Sequence, residues 1–314
     1  MGSSLSVVFA LVANGNSGAG HWMRCVSLAN EFASAGHSVA FYGEVGIDWL
    51  AHEHSKSAMR EKYQPKCKYD FLIIDSYDKA FILEARSRVN HNKSIQVLDS
   101  ASPIINLDGA IWVDPYPVPT ELVQKTQLIA SGPTLLVSKS STKFAAPPAP
   151  DEILVTLGGM PSDDLVQRVL KWISIPEFET FSFSLFSNRT NFNLSQKNIK
   201  LLRLSIMLDT VAASSGTIIT NAGTSLWKFI TLRRPIGMIK VAENQSANYE
   251  YASSHGLAIP LADFVKTPDF NTTSLLALVA DTKLRDKLTS SQEKYLEKHQ
   301  ACHLINKIVS FGGV

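Results

Sequence analysis

The sequence predicts an α/β fold of two Rossmann-like, doubly wound domains, each a parallel sheet covered by helices on both faces. The chain has 314 residues, which exceeds one ordinary hydrophobic core and suits two domains of about 150 residues each. β-rich runs alternate with helical periods in both halves of the chain. A segment rich in Ser, Ala and Pro at residues 138–150 has no apolar period and is therefore predicted to link the domains.

The first half alternates between apolar runs and one clear helical period. The runs predict strands at residues 5–12, 38–42, 71–74, 94–98 and 110–113. Residues 20–35 have the apolar spacing of a helix, which Gly36 is suited to end. We expect these elements to form an N-terminal domain over residues 1–140.

The pattern restarts after the linker. Strands are predicted at residues 152–157, 180–186, 199–202, 217–220 and 236–241. Helices are predicted at residues 163–172, from residue 224 to 232, and through the tail at 274–309. We expect a C-terminal domain over residues 151–314 whose last helix returns to the N-terminal domain. The two domains are expected to face each other across a cleft.

Composition and charge exclude several classes of protein. The chain is 45% hydrophobic and 18% charged, which is typical of globular proteins, and its formal net charge is only +2. So small a charge predicts no nucleic-acid partner. No apolar run reaches the roughly 18 residues of a membrane span, and the three cysteines form no C-x-x-C pair. These features predict a cytoplasmic protein without a membrane span.

The loop after the first predicted strand is a candidate anion or catalytic site. Gly18 and Gly20 let the backbone approach a ligand closely, and the following helix offers free N–H groups at its N-terminus. His21 lies in the first helical turn, where a neutral imidazole can act as a base, and Arg24 follows on the same face. The alternative is that His21 serves as a cap or packing residue.

Asp75 follows a buried strand directly. At the carboxyl end of a parallel strand, its carboxylate can orient His21 or bind a sugar hydroxyl. The alternative is that Asp75 caps the next helix.

Three loops of the second half can bind a diphosphate or a sugar. Gly158 and Gly159 follow a strand, where such a pair either cradles phosphate or forms only a tight turn. The second loop carries small and hydroxyl-bearing residues at a strand-to-helix junction and a lysine one turn later: Ala222, Gly223, Thr224, Ser225 and Lys228. Asn244 and Gln245 follow the next strand and can bind a sugar or cap a helix.

The motifs of other enzyme classes are missing from the sequence. There is no G-x-x-x-x-G-K-[ST], no H-E-x-x-H, no G-x-S-x-G and no D-x-D, and the glycines near residue 18 do not fit G-x-G-x-x-G. We therefore expect a mechanism that uses neither a metal nor an organic cofactor.

Taken together, five segments resemble the PseG family of hydrolases, which act on UDP-2,4-diacetamido-2,4,6-trideoxy-altropyranose in pseudaminic acid biosynthesis. They are residues 18–24, 74–77, 155–159, 221–227 and 244–245, and their order and spacing carry the resemblance over about residues 7–261. The family is related to glycosyltransferases of the GT-B fold, so the resemblance implies that fold.

The resemblance also implies a reaction and its residues. The family cleaves the C1–O bond of its UDP-sugar with inversion and releases UDP and free sugar. Its catalytic histidine matches His21, its tyrosine matches Tyr77 and its late asparagine matches Asn244. The turns at residues 158–159 and 222–224 would hold the diphosphate, and the loop at 205–207, which includes Met207, would bind uracil.

Lys228 is a departure from the family, which has a glutamate at this position. In relatives of the GT-B fold that glutamate holds the ribose hydroxyls. Two other hypotheses therefore stand beside the hydrolase: a GT-B glycosyltransferase with a UDP-sugar donor and a sugar or lipid acceptor, and a binding protein without turnover.

Overall fold

The computed structural model describes residues 4–14, 19–46, 61–136, 148–159, 161–187, 192, 196–203, 207–267, 269–298 and 304–313. The chain divides into two compact units. Unit 1 comprises Met1–Ser138 and Ala301–Val314, and unit 2 comprises Lys139–Gln300. Most of the predicted linker, residues 138–147, lies outside the described residues.

Unit 1 contains a parallel sheet of seven strands in the order β3-β2-β1-β4-β5-β6-β7. The strands are β1 Ser6–Ala13, β2 Ser38–Val45, β3 Glu61–Lys62, β4 Tyr69–Asp75, β5 His91–Leu98, β6 Gly109–Trp112 and β7 Gln127–Ser131. The helices of this unit are α1 Gly20–Ser34, α2 Lys79–Arg88, α3 Thr120–Lys125 and α10 Leu304–Gly312.

Alternate residues of β1 enter two different cores. Val7 and Phe9 pack in one core with residues of α1 and α10, whereas Val8 and Ala10 pack in another core with residues of α2. Side chains alternate between the faces of a strand, so helices on both faces require a strand that is apolar throughout. This requirement explains the apolar run, interrupted only by Ser6, that predicted β1.

Unit 2 contains a parallel sheet of six strands in the order β10-β9-β8-β11-β12-β13. The strands are β8 Ala149–Thr156, β9 Ser182–Phe186, β10 Ile199–Leu202, β11 Ser215–Asn221, β12 Ile236–Lys240 and β13 Ile259–Asp263. The helices are α4 Asp163–Ile173, α5 Met207–Ser214, α6 Thr224–Thr231, α7 Ser246–Ser254, α8 Thr272–Ala280 and α9 Thr282–Lys298. Short 3₁₀ turns occupy Pro176–Phe178 and Glu243–Gln245.

The predicted fold class, two Rossmann-like α/β units with parallel sheets, is confirmed, whereas some elements differ from prediction. The tail at residues 274–309, which was predicted to be helical, contains three helices, α8, α9 and α10. Its last helix, α10, contacts β7 in unit 1, and Ile308 is fully buried in the unit 1 core. Strands β7 and β13 were not predicted, because their short runs mix polar and apolar residues.

None of the helices in the described part of the chain combines the length and the apolar composition that crossing a membrane requires.

Candidate functional site

Each sheet contains a point at which its strand order reverses direction. In unit 1 the chain goes from β1 outward to β2 and β3, then returns to β4 on the other side of β1. In unit 2 the corresponding reversal lies between β8 and β11. Ligands of open parallel sheets bind beyond the carboxyl ends of the strands at such a switch point. The residues that follow β1, β4, β8 and β11 are therefore the candidate ligand-binding residues.

His21 and Asp75 meet at the switch point of unit 1. Asp75 is the last residue of β4 and is fully buried, and His21 lies in the first turn of α1, the helix that follows β1. The His21 Nδ1 atom is 2.6 Å from Asp75 Oδ1. Two residues that are 54 positions apart in sequence thus form a close, buried pair.

The ionisation of Asp75 determines how this pair shares its proton. Burial alone would raise the pKa of Asp75, but the charge of Arg24 and the contacts with His21 outweigh burial and lower it. An ionised carboxylate only accepts hydrogen bonds, so His21 Nδ1 carries the proton and donates it to Asp75. The lone pair of the imidazole is therefore on Nε2, which accepts no hydrogen bond from the residues that the structure describes.

Arg24 is buried beside the pair and binds carboxylates. Its Nε and Nη2 atoms donate to the two oxygens of Asp75 at 2.8 and 2.7 Å, and its Nη1 atom donates to Asp99 Oδ2 at 2.9 Å. Nη2 also lies 3.0 Å from His21 Nδ1. The guanidinium thus bridges two carboxylates. Arg24 was predicted to bind substrate, and its bonds in this structure are to the protein itself.

Tyr77 contacts both His21 and Asp99. Its ring meets the imidazole edge to face, with 4.4 Å between ring centroids, and its hydroxyl donates to Asp99 Oδ2 at 2.8 Å. Burial and the nearby charge of Asp99 raise the pKa of Tyr77 far above its usual value. Tyr77 therefore keeps its proton and acts as a hydrogen-bond donor.

Asp99 is a member of this cluster that the sequence analysis missed. It directly follows β5, just as Asp75 closes β4 next to it in the sheet. A carboxylate at the end of a neighbouring parallel strand was the available signal, but no motif contains it.

The alternative interpretation of Asp75 as a helix cap is wrong. The cap of α2 is Asp78, whose Oδ1 accepts a hydrogen bond from the backbone N–H of Ala80 at 2.8 Å. Asp75 instead forms hydrogen bonds with His21 and Arg24.

The switch point of unit 2 combines glycines with a side-chain amide. Gly158, directly after β8, has a φ of +89°, a left-handed conformation that favours glycine. A Cβ atom at Gly158 would lie 3.0 Å from Asn221 Nδ2, and one at Gly223 would lie 3.2 Å from the same atom. The amide of Asn221 thus lies against both glycines, and neither position has room for a side chain without a shift.

The side chain of Asn221 and the start of α6 present polar groups at this junction. Asn221 is 9% exposed, and its Oδ1 atom has no hydrogen-bond partner among the described residues. No side chain caps α6, which begins at Thr224 after Gly223. Uncapped N–H groups at a helix N-terminus bind anions, so this junction suits a phosphate group.

The side chain of Gln245 also lies next to Gly223 at this junction. Its Nε2 atom would lie 3.8 Å from a Cβ at Gly223, and its Oε1 accepts a hydrogen bond from the backbone N–H of Val241 at 3.1 Å. Gln245 occupies the N-cap position of α7, but its side chain makes no capping hydrogen bond, so the interpretation that its amide caps the helix is wrong. Asn244 lies beside it in the same 3₁₀ turn.

Lys228 forms an ion pair with a residue that the sequence analysis did not single out. Its Nζ atom is 2.5 Å from Asp209 Oδ1, on the first turn of α5. The side chains are 19% and 37% exposed respectively, so the pair is open to solvent on the face of α6 that also carries Thr224. Lys228 is therefore not a freely solvated lysine.

The remaining predicted site residues lie at the starts of α1 and α6, after β8, or outside the described residues. Gly20 begins α1, Gly159 follows Gly158, and Ala222, Thr224 and Ser225 belong to the α6 junction. Gly18 lies outside the described residues, as does the side chain of Met207. Within the described residues, no three His, Cys, Asp or Glu side chains are grouped as metal ligands would be.

The sequence matches no protein-family model, and no curated protein matches it. Solved structures do match. The glycotransferase of kitacinnamycin is 13% identical with a TM-score of 0.65, covering 98% of this chain and 98% of that one. LpCGTa, solved in complex with UDP, is 12% identical with a TM-score of 0.68, covering 99% of this chain and 100% of that one.

A plant structure shows the same likeness. UGT89C1 from Arabidopsis thaliana, complexed with quercetin, is 12% identical with a TM-score of 0.65, covering 99% of this chain and 100% of that one. Identities this low establish the fold alone. The chain has the GT-B fold of these glycosyltransferases.

Proposed function

We propose that this chain is a glycosyltransferase that moves a sugar from a UDP-sugar donor to an acceptor hydroxyl, with inversion at the sugar C1 atom. The observation that carries the proposal is the His21–Asp75 pair, 2.6 Å apart at the switch point of unit 1. It leaves a buried imidazole whose Nε2 lone pair is free to take a proton, which is the requirement for a general base.

The reaction follows from this arrangement. His21 Nε2 takes the proton of the acceptor hydroxyl while the acceptor oxygen forms a bond to C1 of the sugar. The bond between C1 and the phosphate oxygen breaks, and UDP leaves with the electron pair. Asp75 stabilises the imidazolium that forms, because its carboxylate already accepts the Nδ1–H bond. Tyr77 keeps the imidazole ring in position through its edge-to-face contact.

Unit 2 is proposed to hold the nucleotide diphosphate. The uncapped start of α6 and the glycines at 158 and 223 offer backbone N–H groups to the phosphates, and Asn221 adds an amide. Such donors stabilise the negative charge that grows on departing UDP. Ala222, Thr224, Ser225 and Gly159 belong to the same loops. We assign Asn244 and Gln245 to sugar recognition, and Met207 with Gly18 remain proposals for uracil and phosphate contacts.

Hydrolysis is the second candidate, supported by the resemblance of five sequence segments to PseG hydrolases. Water would then replace the acceptor hydroxyl at the same imidazole. The structural likeness is to glycosyltransferases, which favours transfer.

The deciding experiment measures UDP release from a panel of UDP-sugars, including 2,4-diacetamido donors, in EDTA. Each donor is incubated alone and with a panel of sugar, phenolic and lipid acceptors. UDP release that depends on an acceptor supports transfer, and release with free sugar in its absence supports hydrolysis. Saturable UDP binding without turnover of any donor would identify a binding protein and refute both.

A further inference from the structure

The charges around His21 do not cancel. Arg24 carries one positive charge and bridges two carboxylates, Asp75 and Asp99. Asp99 accepts hydrogen bonds from Arg24 and from the hydroxyl groups of Tyr77 and Ser102, as an ionised carboxylate does. With a neutral imidazole, two carboxylates and one guanidinium give a net charge of −1, in a cluster whose most exposed member, Asp99, has a side chain that is 16% exposed. When His21 takes a proton, the cluster becomes neutral.

Without Asp99 the net charge of the cluster would be different. Asp75 and Arg24 alone cancel, because the guanidinium binds both oxygens of Asp75. A proton on His21 would then leave a net charge of +1 in a place where His21, Arg24 and Asp75 are at most 6% exposed. A buried, uncompensated charge is unfavourable, so the imidazole would be a weaker base.

We infer that Asp99 is a positioning residue that supplies, through Arg24, the net negative charge that lets His21 accept a proton. Asp75 fixes the tautomer by direct contact, and Asp99 sets the charge balance by engaging the third nitrogen of the guanidinium. This division of roles goes beyond the proposed reaction, since it concerns the protonation of His21 whether the nucleophile is a hydroxyl or water.

The other ionisable groups near the imidazole leave this balance unchanged. On α1, burial raises the pKa of the Cys25 thiol, which therefore stays neutral. Tyr77, on the loop after β4, stays protonated. Among the described residues that contact His21, Asp75 or Arg24, the charged groups are therefore Arg24, Asp75 and Asp99, the last of which reaches the cluster through Arg24.

The test is a proton titration of His21 by NMR in the free protein, with the imidazole signals assigned by comparison with His21→Gln. This readout needs no substrate, so a failure of the inference is distinct from a failure of the proposed function. In Asp99→Asn the midpoint of the His21 titration is expected to fall by about one pH unit. If the midpoint stays unchanged or rises, the inference is wrong.

Two further variants separate charge from local structure. Asp114→Asn is the control, because Asp114 is also a buried carboxylate near the end of a strand, β6, and is 4% exposed. Asp114 accepts hydrogen bonds from the backbone N–H groups of Ser100 and Tyr116 and not from Arg24. This variant should leave the midpoint within a few tenths of a pH unit of the wild-type value. Arg24→Gln removes the positive charge and should move the midpoint upward. If Asp99→Asn does not fold, Asp99→Ser carries the same expectation, and an unmoved midpoint in it overturns the inference.

Discussion

The two switch points have the same topology and opposite chemistry. In unit 1, four ionisable residues meet within hydrogen-bonding distance: His21, Arg24, Asp75 and Asp99. In unit 2, the contacts at the switch point involve glycine backbone and the amides of Asn221 and Gln245. One point is thus a buried charge network, and the other is a neutral cradle whose amide oxygen, on Asn221, has no hydrogen-bond partner in the part of the chain that the structure describes.

This difference indicates a division of work between the sheets. A base needs a fixed tautomer and a counter-charge, which side chains supply by hydrogen bonding to each other. A phosphate site needs free N–H groups and close backbone approach, which a carboxylate nearby would oppose. The same strand order thus positions proton chemistry in one unit and anion binding in the other. The following predictions test that division, beginning with the largest effect.

His21→Ala should lower kcat by about 10²–10⁴-fold, because a positioned base contributes that much. The dissociation constant of UDP should not change, since His21 belongs to the charged switch point alone. Steady-state kinetics and calorimetric UDP titration measure the two quantities. His255→Ala, which alters an exposed histidine of unit 2, is the control and should keep wild-type kcat. Equal loss of UDP affinity and kcat in His21→Ala would contradict the division.

Asp75→Asn should lower the free energy of unfolding by about 3–5 kcal/mol at pH 7, because it leaves the buried Arg24 without its main partner. Burial would raise the pKa of Asp75, but Arg24 and His21 lower it. A lowered pKa means that the stabilisation is complete above the unfolded-state pKa and is lost as pH falls through the folded-state pKa. The gap in free energy of unfolding between the wild type and Asp75→Asn should therefore shrink below about pH 4.

Urea unfolding at pH 7, 5 and 3 measures this gap. Asp108→Asn is the control, because Asp108 is exposed and accepts hydrogen bonds from the N–H and hydroxyl of Ser94. It should destabilise the protein by about 1 kcal/mol or less. A gap for Asp75→Asn that is independent of pH would argue against a charge-based role.

Much of the fold could be predicted from sequence, because the buried parallel strands are continuous apolar runs. The strands over residues 71–74 and 236–241 were predicted from such runs, and they lie within or next to β4 and β12. The edge strands β7 and β13 were not predicted, because their short sequences mix polar and apolar residues. The site was harder to predict, because partners such as Asp99 and Asp209 follow no spacing rule and are brought close only by tertiary contacts.

Gly158→Ala should weaken UDP binding by about 10–100-fold, the effect of losing a hydrogen bond to a charged group. The new methyl group would lie 3.0 Å from Asn221 Nδ2 and would displace the amide from the cradle. Gly36→Ala is a matched control, since Gly36 has nearly the same φ, +87° against +89°, but has nothing within 4 Å of its Cβ position. Both variants should lose about 1–2 kcal/mol of stability from the left-handed backbone.

Calorimetric titration with UDP distinguishes the two glycine variants. Only Gly158→Ala should lose affinity, and its kcat at saturating donor should stay within about threefold of wild type, because the charged switch point is intact. A similar loss of affinity in Gly36→Ala would mean that general destabilisation, rather than the cradle, causes the effect.

Lys228→Met should have the smallest effect, a loss of UDP affinity of about two- to fivefold, because partly exposed ion pairs contribute only about 0.2–1 kcal/mol. The variant frees Asp209 and removes a positive charge one turn from the start of α6. Arg168→Met breaks an exposed ion pair with Asp164 on α4 and should leave UDP affinity unchanged. Because solvent salt screens exposed charges, the Lys228→Met effect should shrink further between about 0.05 and 0.5 M NaCl. An effect as large as that of Gly158→Ala would mean that this ion pair contributes as much to UDP affinity as the neutral cradle does.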